Sequence, residues 1–169
     1  VSRGVMTVLV CIAAALAVGC ACPLSKSVRE RANTDITILK VKPAADEYVG
    51  ATVIWGGIVL ECHNKDGGSE LLMLETPLDP ACRPKDSNKS RGRFIARTSE
   101  FLDPEVYSKD TKVVLGGEVT GSETRRVEEA EYTYPVLTIE DIHVFPPEKE
   151  YRDGYPNGMM WHYHVYHCY

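Results

Sequence analysis

The sequence lacks the markers of most well-understood chemistries. It has no G-x-S-x-G, no H-E-x-x-H and no phosphate-binding loop, so serine hydrolysis, zinc proteolysis and P-loop chemistry have no motif to rest on. Lys and Arg gather into no stripe, and the net charge is -5. The electrostatic footprint of a nucleic-acid binder is therefore missing, and so is a polybasic segment for anionic lipid. No 3.6-residue apolar period runs far enough for a helical bundle. No repeat of the ~20–50-residue kind is present. The one long apolar run, residues 5–18, is 14 residues long, short of the ~20 that span a bilayer as a helix.

That run has another use. Arg3 supplies a positive start, residues 5–18 an apolar centre, and Ala17, Val18 and Gly19 small side chains before Cys20. This is the order of an export signal, whose centre is ~7–15 residues long. Leu16-Ala17-Val18-Gly19-Cys20 resembles the lipobox of bacterial lipoproteins, with Leu one place further out than usual. The resemblance implies cleavage between Gly19 and Cys20 and a diacylglycerol and N-acyl lipid on Cys20. It also implies sorting to the outer membrane, because Ala21 rather than Asp follows the cysteine. Ordinary secretion with cleavage nearby and an uncleaved anchor are the competing readings. Cleavage removes Arg3 and leaves a net charge of -6. The chain then divides into a signal peptide (1–19), a lipidated start and tether (20–42), a folded domain (43–147) and a tail (148–169).

Six cysteines are present. Cys11 leaves with the signal and Cys20 takes lipid, so four remain, which allow three connectivities. Cys62 with Cys82 is the expected bridge, because both fall at the edges of one predicted hairpin region; free or partly oxidised thiols are the alternative.

Along the tether, Ile36-Thr37-Ile38-Leu39 reads as a short strand. Residues 51–61, 70–75, 91–98, 111–120 and 132–145 read as strands from their β-branched and apolar content. Gly56-Gly57 and Gly116-Gly117 interrupt two of them, which marks bulges or sharp coiling. Residues 77–90 read as an irregular connection and 121–131 as a charged hairpin loop. Asp103 before Pro104 reads as the cap of a short helical turn. Five short strands with two kinks predict an all-β domain: a small antiparallel five-stranded barrel, OB-like in topology, with a small β-sandwich as the alternative.

The series Tyr48-Val49-Gly50, Val53-Ile54-Trp55-Gly56-Gly57, Leu74-Glu75-Thr76-Pro77-Leu78, Gly92-Arg93-Phe94-Ile95-Ala96, Phe101-Leu102-Asp103-Pro104-Glu105-Val106-Tyr107 and Val114-Leu115-Gly116-Gly117-Glu118-Val119, ending in Tyr132-Thr133-Tyr134-Pro135-Val136, resembles the Slp family of outer-membrane lipoproteins. The resemblance implies a lipid-anchored envelope protein linked to stress or stationary phase, and it carries no catalytic residues. Cys62, Cys82 and the His-rich end depart from the family pattern.

Candidate chemistry is sparse. His162, His164, His167 and Cys168 lie within a few residues of one another at the end of the chain, a donor set for zinc or copper; an aromatic tail without metal is the plainer use. Asp79, Asp103, Glu105 and Glu118 could be paired on paper for glycoside cleavage, but with 24 acidic residues such pairs are cheap. Cys82 with His63 could form a nucleophile and base. Trp55, Tyr48 and Phe94 serve either as core or as a stacking surface. The expected function is a non-enzymatic lipoprotein of the outer membrane, facing the periplasm, with no cofactor and no nucleic-acid partner. Its partners would be the bilayer and envelope proteins or polysaccharide. A module binding a saccharide or peptidoglycan fragment, and a metal-binding lipoprotein, are the alternatives.

Overall fold

The computed structural model describes residues 22–86, 89–127 and 129–147. These form one unit, Cys22–Pro147. Its strands are β1 (Thr52–Lys65), β2 (Gly68–Glu75), β3 (Arg93–Thr98), β4 (Lys112–Val127) and β5 (Ala130–Phe145). They close into a barrel in the order β1-β2-β3-β5-β4, the strand order of an OB-type barrel. Closure removes the second sheet that a sandwich would need. All pairings are antiparallel except β3 with β5, a parallel contact from Ile95↔Val136 to Arg97↔Thr138.

Strand alternation builds the core. Val53, Trp55 and Val59 of β1, Leu71 and Met73 of β2, Phe94 and Ala96 of β3, and Val113, Leu115 and Val119 of β4 belong to one buried cluster. Side chains two apart share a face, so each strand contributes every second residue. Three irregularities reset that count, one of them the skip of Thr120 between Val119↔Leu137 and Gly121↔Val136. Leu60 is skipped between Val59↔Met73 and Glu61↔Leu72, and Cys62 then packs against the core cluster in spite of its even number. Glu140 is skipped on β5, and the inward set passes from Leu137 and Ile139 to Ile142 and Val144. Trp55 meets Phe94 edge to face at 5.4 Å, and its indole N–H donates to the Ile36 carbonyl at 3.0 Å. These rings are core, not a stacking surface; Tyr48 packs partly buried against the same cluster.

The glycine pairs mark close approach. A Cβ on Gly57 would lie 1.9 Å from the Leu74 carbonyl oxygen, and one on Gly117 2.1 Å from that of Thr138. Their neighbours face outward under cover: a Cβ on Gly56 would meet Leu78, and one on Gly116 would meet Val28.

That cover corrects the expected tether. Residues 22–42 are packed onto the barrel. Helix α1 (Lys26–Arg31) buries Val28, which with Leu24, Val114 and Phe145 forms a second apolar cluster. The Ser25 amide donates to Asp141 at 2.6 Å, and Arg31 pairs with Glu140. The expected strand at 36–39 is instead the start of a short helix, α2 (Ile38–Val41), whose Ile38 and Val41 are buried in the core. A 3-10 turn at Ala45–Tyr48 follows. These apolar residues are spaced for a helical face, three apart.

The expected Cys62–Cys82 bridge is also corrected. Cys82 is bonded to Cys22, with Cα atoms 4.9 Å apart, and Cys62 is a free thiol. The bulge at Leu60 turns Cys62 toward the core, whereas Cys82 packs with the outer cluster around Leu24 and Val28. The two sulfurs therefore lie on opposite sides of the barrel wall. Residues 77–86 are ordered too. Leu78 bridges Pro84, and Asp79 Oδ1 accepts the amides of Ala81 and Arg83, each at 2.8 Å. The expected charged loop at 121–131 is a continuation of the β4–β5 ribbon to Val127↔Ala130.

Candidate functional site: a cleft beside an ion-pair ring

Glu70 and Arg97 face each other in the β2–β3 register. By alternation both project outward, since their neighbours Leu71 and Ala96 point into the core. The β4–β5 ribbon brings Glu123 and Arg125 to the same place. Arg97 Nε donates to Glu70 Oε2 at 2.9 Å, and Arg125 Nη2 lies 2.9 Å from Glu70 Oε1. Arg125 Nε donates to Glu123 Oε1 at 2.7 Å, and Arg97 Nη2 donates to Glu123 Oε2. The four charges form a closed ring of alternating sign drawn from three strands. Lys65 Nζ stands 3.5 Å from Glu70 Oε2.

Burial decides what the ring can do. Glu70 is 3 % exposed. Burial alone would push its carboxyl up; hydrogen bonds from Arg97 and Arg125, with the charges of Arg125 and Lys65, outweigh it and hold the group below its ordinary value. Hydrogen bonds from Arg125 and then Arg97 lower Glu123 as well. Glu70 is thus an ionised acceptor and is poorly suited to deliver a proton. The opposite case is Glu75, where burial dominates and raises the carboxyl although the Arg91 amide and charge oppose it. Burial, then Asp103, raises the Cys62 thiol.

Beside the ring lies a cleft of about 460 Å³, lined by the β1–β2 hairpin end (Lys65, Asp66, Gly67, Gly68), by Ser69, Glu70, Arg97, Thr98 and Ser99, and by Thr138. Ser69 ties the next loop to it: its hydroxyl donates to the Glu100 carbonyl at 2.8 Å and accepts the Leu102 amide at 2.8 Å. Between these two residues sits Phe101, 72 % exposed. A polar cleft and an exposed aromatic ring therefore share one edge of the barrel. Beyond the cleft, the outward face of β2 and β3 is filled by the chain itself. Ile95, Tyr134 and Val136 are buried there, with Leu72, Val127 and Tyr132 against them, and the Tyr132 hydroxyl accepts the Arg93 amide at 3.0 Å.

The residues singled out from sequence fare differently. Asp79 and Asp103 serve as caps, the latter accepting the Glu105 amide at 2.9 Å. Glu118 is exposed on β4, in register with Thr52 and Thr138. Cys82 has no thiol to act with His63, which pairs with Glu61 at 2.8 Å. Gly19 and Cys20, and the metal candidates His162, His164, His167 and Cys168, lie outside the described residues. Among the described residues no group of three or more His, Cys, Asp or Glu is placed to hold a metal. The ring is not legible in the sequence; its only traces are Glu70 beside the apolar run Leu71-Leu72-Met73-Leu74 and the charged stretch Glu123-Thr124-Arg125-Arg126.

The family model described as "Outer membrane lipoprotein Slp family" matches residues 17–169. This chain therefore belongs to the Slp family of outer-membrane lipoproteins. It is 31% identical over 102 residues to the uncharacterized lipoprotein YeaY of Escherichia coli K12, a match covering 60% of this chain and 52% of that protein. It is 29% identical over 98 residues to the outer membrane protein Slp of the same organism, covering 58% and 52%. The chain spans about half the length of the curated relatives it matches. Among solved structures it is similar to the mitochondrial single-stranded DNA binding protein Rim1 of S. cerevisiae, with a TM-score of 0.35, 12% identity, and coverage of 56% of this chain and 94% of that one. A small single-stranded DNA-binding protein from Streptomyces coelicolor is similar at a TM-score of 0.33 and 12% identity, covering 57% and 94%. The fold class rests on the strand order itself.

Proposed function

We infer that this chain is a non-enzymatic envelope lipoprotein, cleaved before Cys20, acylated on that residue and held with its barrel in the periplasm. The observation that carries the reading is Cys20 closing a 14-residue apolar run in a chain of this family. Acyl chains contribute ~0.8 kcal/mol per buried methylene, and two already hold a protein stably on a bilayer. The fate of radiolabelled palmitate in wild type and Cys20→Ala, followed by membrane fractionation, tests it. Label and outer-membrane sedimentation are expected for wild type and neither for the variant. Label persisting in Cys20→Ala would refute the assignment.

A second reading, favoured by Phe101 beside the cleft, is that the barrel binds a saccharide of the envelope. Aromatic faces pack against sugar rings while charged and hydroxyl groups orient them. Among the described residues the outward face of β2 and β3 is covered by the chain's own apolar side chains, and this together with the acidic charge argues against a nucleic-acid strand on that face. Retention on insoluble peptidoglycan, abolished by Phe101→Ala with the folded far-UV spectrum kept, is the expected result. Equal retention of both proteins would remove the cleft from consideration.

A further inference from the structure

The seating of Cys22 on the barrel bears on which of its sides an anchor at Cys20 would bring to a membrane. Only Ala21 separates Cys20 from Cys22, and Cys22 is bonded to Cys82 in the ordered loop that follows β2. Two residues of fully extended chain reach about 7 Å. The polar layer on one side of a bilayer is of similar thickness, roughly 5–8 Å. The segment after Cys22 adds no slack, because Leu24 and Val28 are 2 % exposed and Ser25 is bonded to Asp141.

We propose that the surface around Cys22–Cys82, formed by the start of α1 and residues 79–86, rests on the lipid headgroups. The occupant is the bilayer surface in which the anchor itself is inserted. The proposal rests on acylation at Cys20. It also places the cleft. Residues 68–70 open β2, while the bridged loop follows its end at Glu75. At ~3.3 Å per residue the two ends of this strand lie about 23 Å apart. The cleft and Phe101 therefore stand at the strand end away from the headgroups, open to soluble or wall-bound partners.

Lysine acylation reads this orientation. Lys26 and Lys85 lie within four residues of the bridge and are exposed, as is Lys65 at the cleft. The full-length mature lipoprotein is reconstituted on phosphatidylethanolamine–phosphatidylglycerol vesicles and treated with a water-soluble amine-acylating reagent. A second form carries about ten Gly and Ser residues between Ala21 and Cys22, with an r.m.s. reach of about 17 Å. Lys26 and Lys85 are expected to react several-fold more slowly in the native lipoprotein than in the linker form, with Lys65 unchanged. Mass spectrometry of the amino-terminal peptide separates the two levels of failure. Without acyl mass on Cys20 the lipoprotein reading falls, and this proposal with it. With acyl mass present, equal rates in the two forms, or equal slowing of all three lysines, overturn the membrane-facing surface alone.

Discussion

Gly57→Ala is expected to cost about 3 kcal/mol or more, within reach of the whole stability of a domain whose margin is ~5–15 kcal/mol. Gly57 pairs with Glu75 of β2 on one side and Val113 of β4 on the other. It is the point where β1 passes from one partner to the next. An alanine Cβ there would sit 1.9 Å from the Leu74 carbonyl oxygen and 3.0 Å from the Glu75 Cα. Both are backbone atoms, so no side chain can swing aside and β2 itself must move. Gly67→Ala at the hairpin end is the control. Nothing lies within 4 Å of its Cβ and its φ is +98°, so only the left-handed penalty of ~1–2 kcal/mol applies. Urea denaturation of both variants checks the ordering; a Gly57→Ala protein as stable as Gly67→Ala would show that the barrel does not close as described.

Breaking the Cys22–Cys82 bridge is expected to cost about 2–4 kcal/mol. The bridge spans 60 residues, and closing a loop of that length removes about 4 kcal/mol of chain entropy from the unfolded state in the simplest treatment. With a urea m-value of ~1–3 kcal/mol/M, the Cys22→Ser, Cys82→Ser double variant should lose about 1–2 M in midpoint. The native packing should survive, because Leu24, Val28 and the Ser25–Asp141 bond hold the segment independently of sulfur. A midpoint unchanged within error, with the bridge shown present in wild type by mass, would contradict this account.

Much of the barrel could be read from local chemistry. Runs such as Val53-Ile54-Trp55 and Val113-Val114-Leu115 are β-branched, and paired glycines announced the places where strands crowd. Asp103 before Pro104 reads as the cap of a turn, and its carboxylate accepts the Glu105 amide. The misreadings share a cause: each depended on partners distant in sequence. Leu60 looks like any strand residue, yet skipping it moves Cys62 to the core side and so decides which cysteine can meet Cys82. The segment at 22–42 is polar on average, and its few apolar residues find seats made by distant strands: Leu24 and Val28 over Gly116, Val114 and Phe145, and Ile38 and Val41 in the main core. Glu70, Arg97, Glu123 and Arg125 come from three strands, each carrying an unremarkable surface charge by itself. Register, which is non-local, turns them into one ring.

The seat of α1 bears on how the chain comes to be folded. Leu24 and Val28 pack on Val114 and Phe145, Ser25 bonds to Asp141 and Arg31 to Glu140. The earliest residues of the folded unit are thus completed by its latest strand. A chain delivered amino end first can oxidise Cys22 with Cys82 while β4 and β5 are still to come, but α1 finds its place only when they arrive. Contacts this far apart in sequence make for slow closure, and any loss of the end of β5 would release the start of the domain before it loosened the middle.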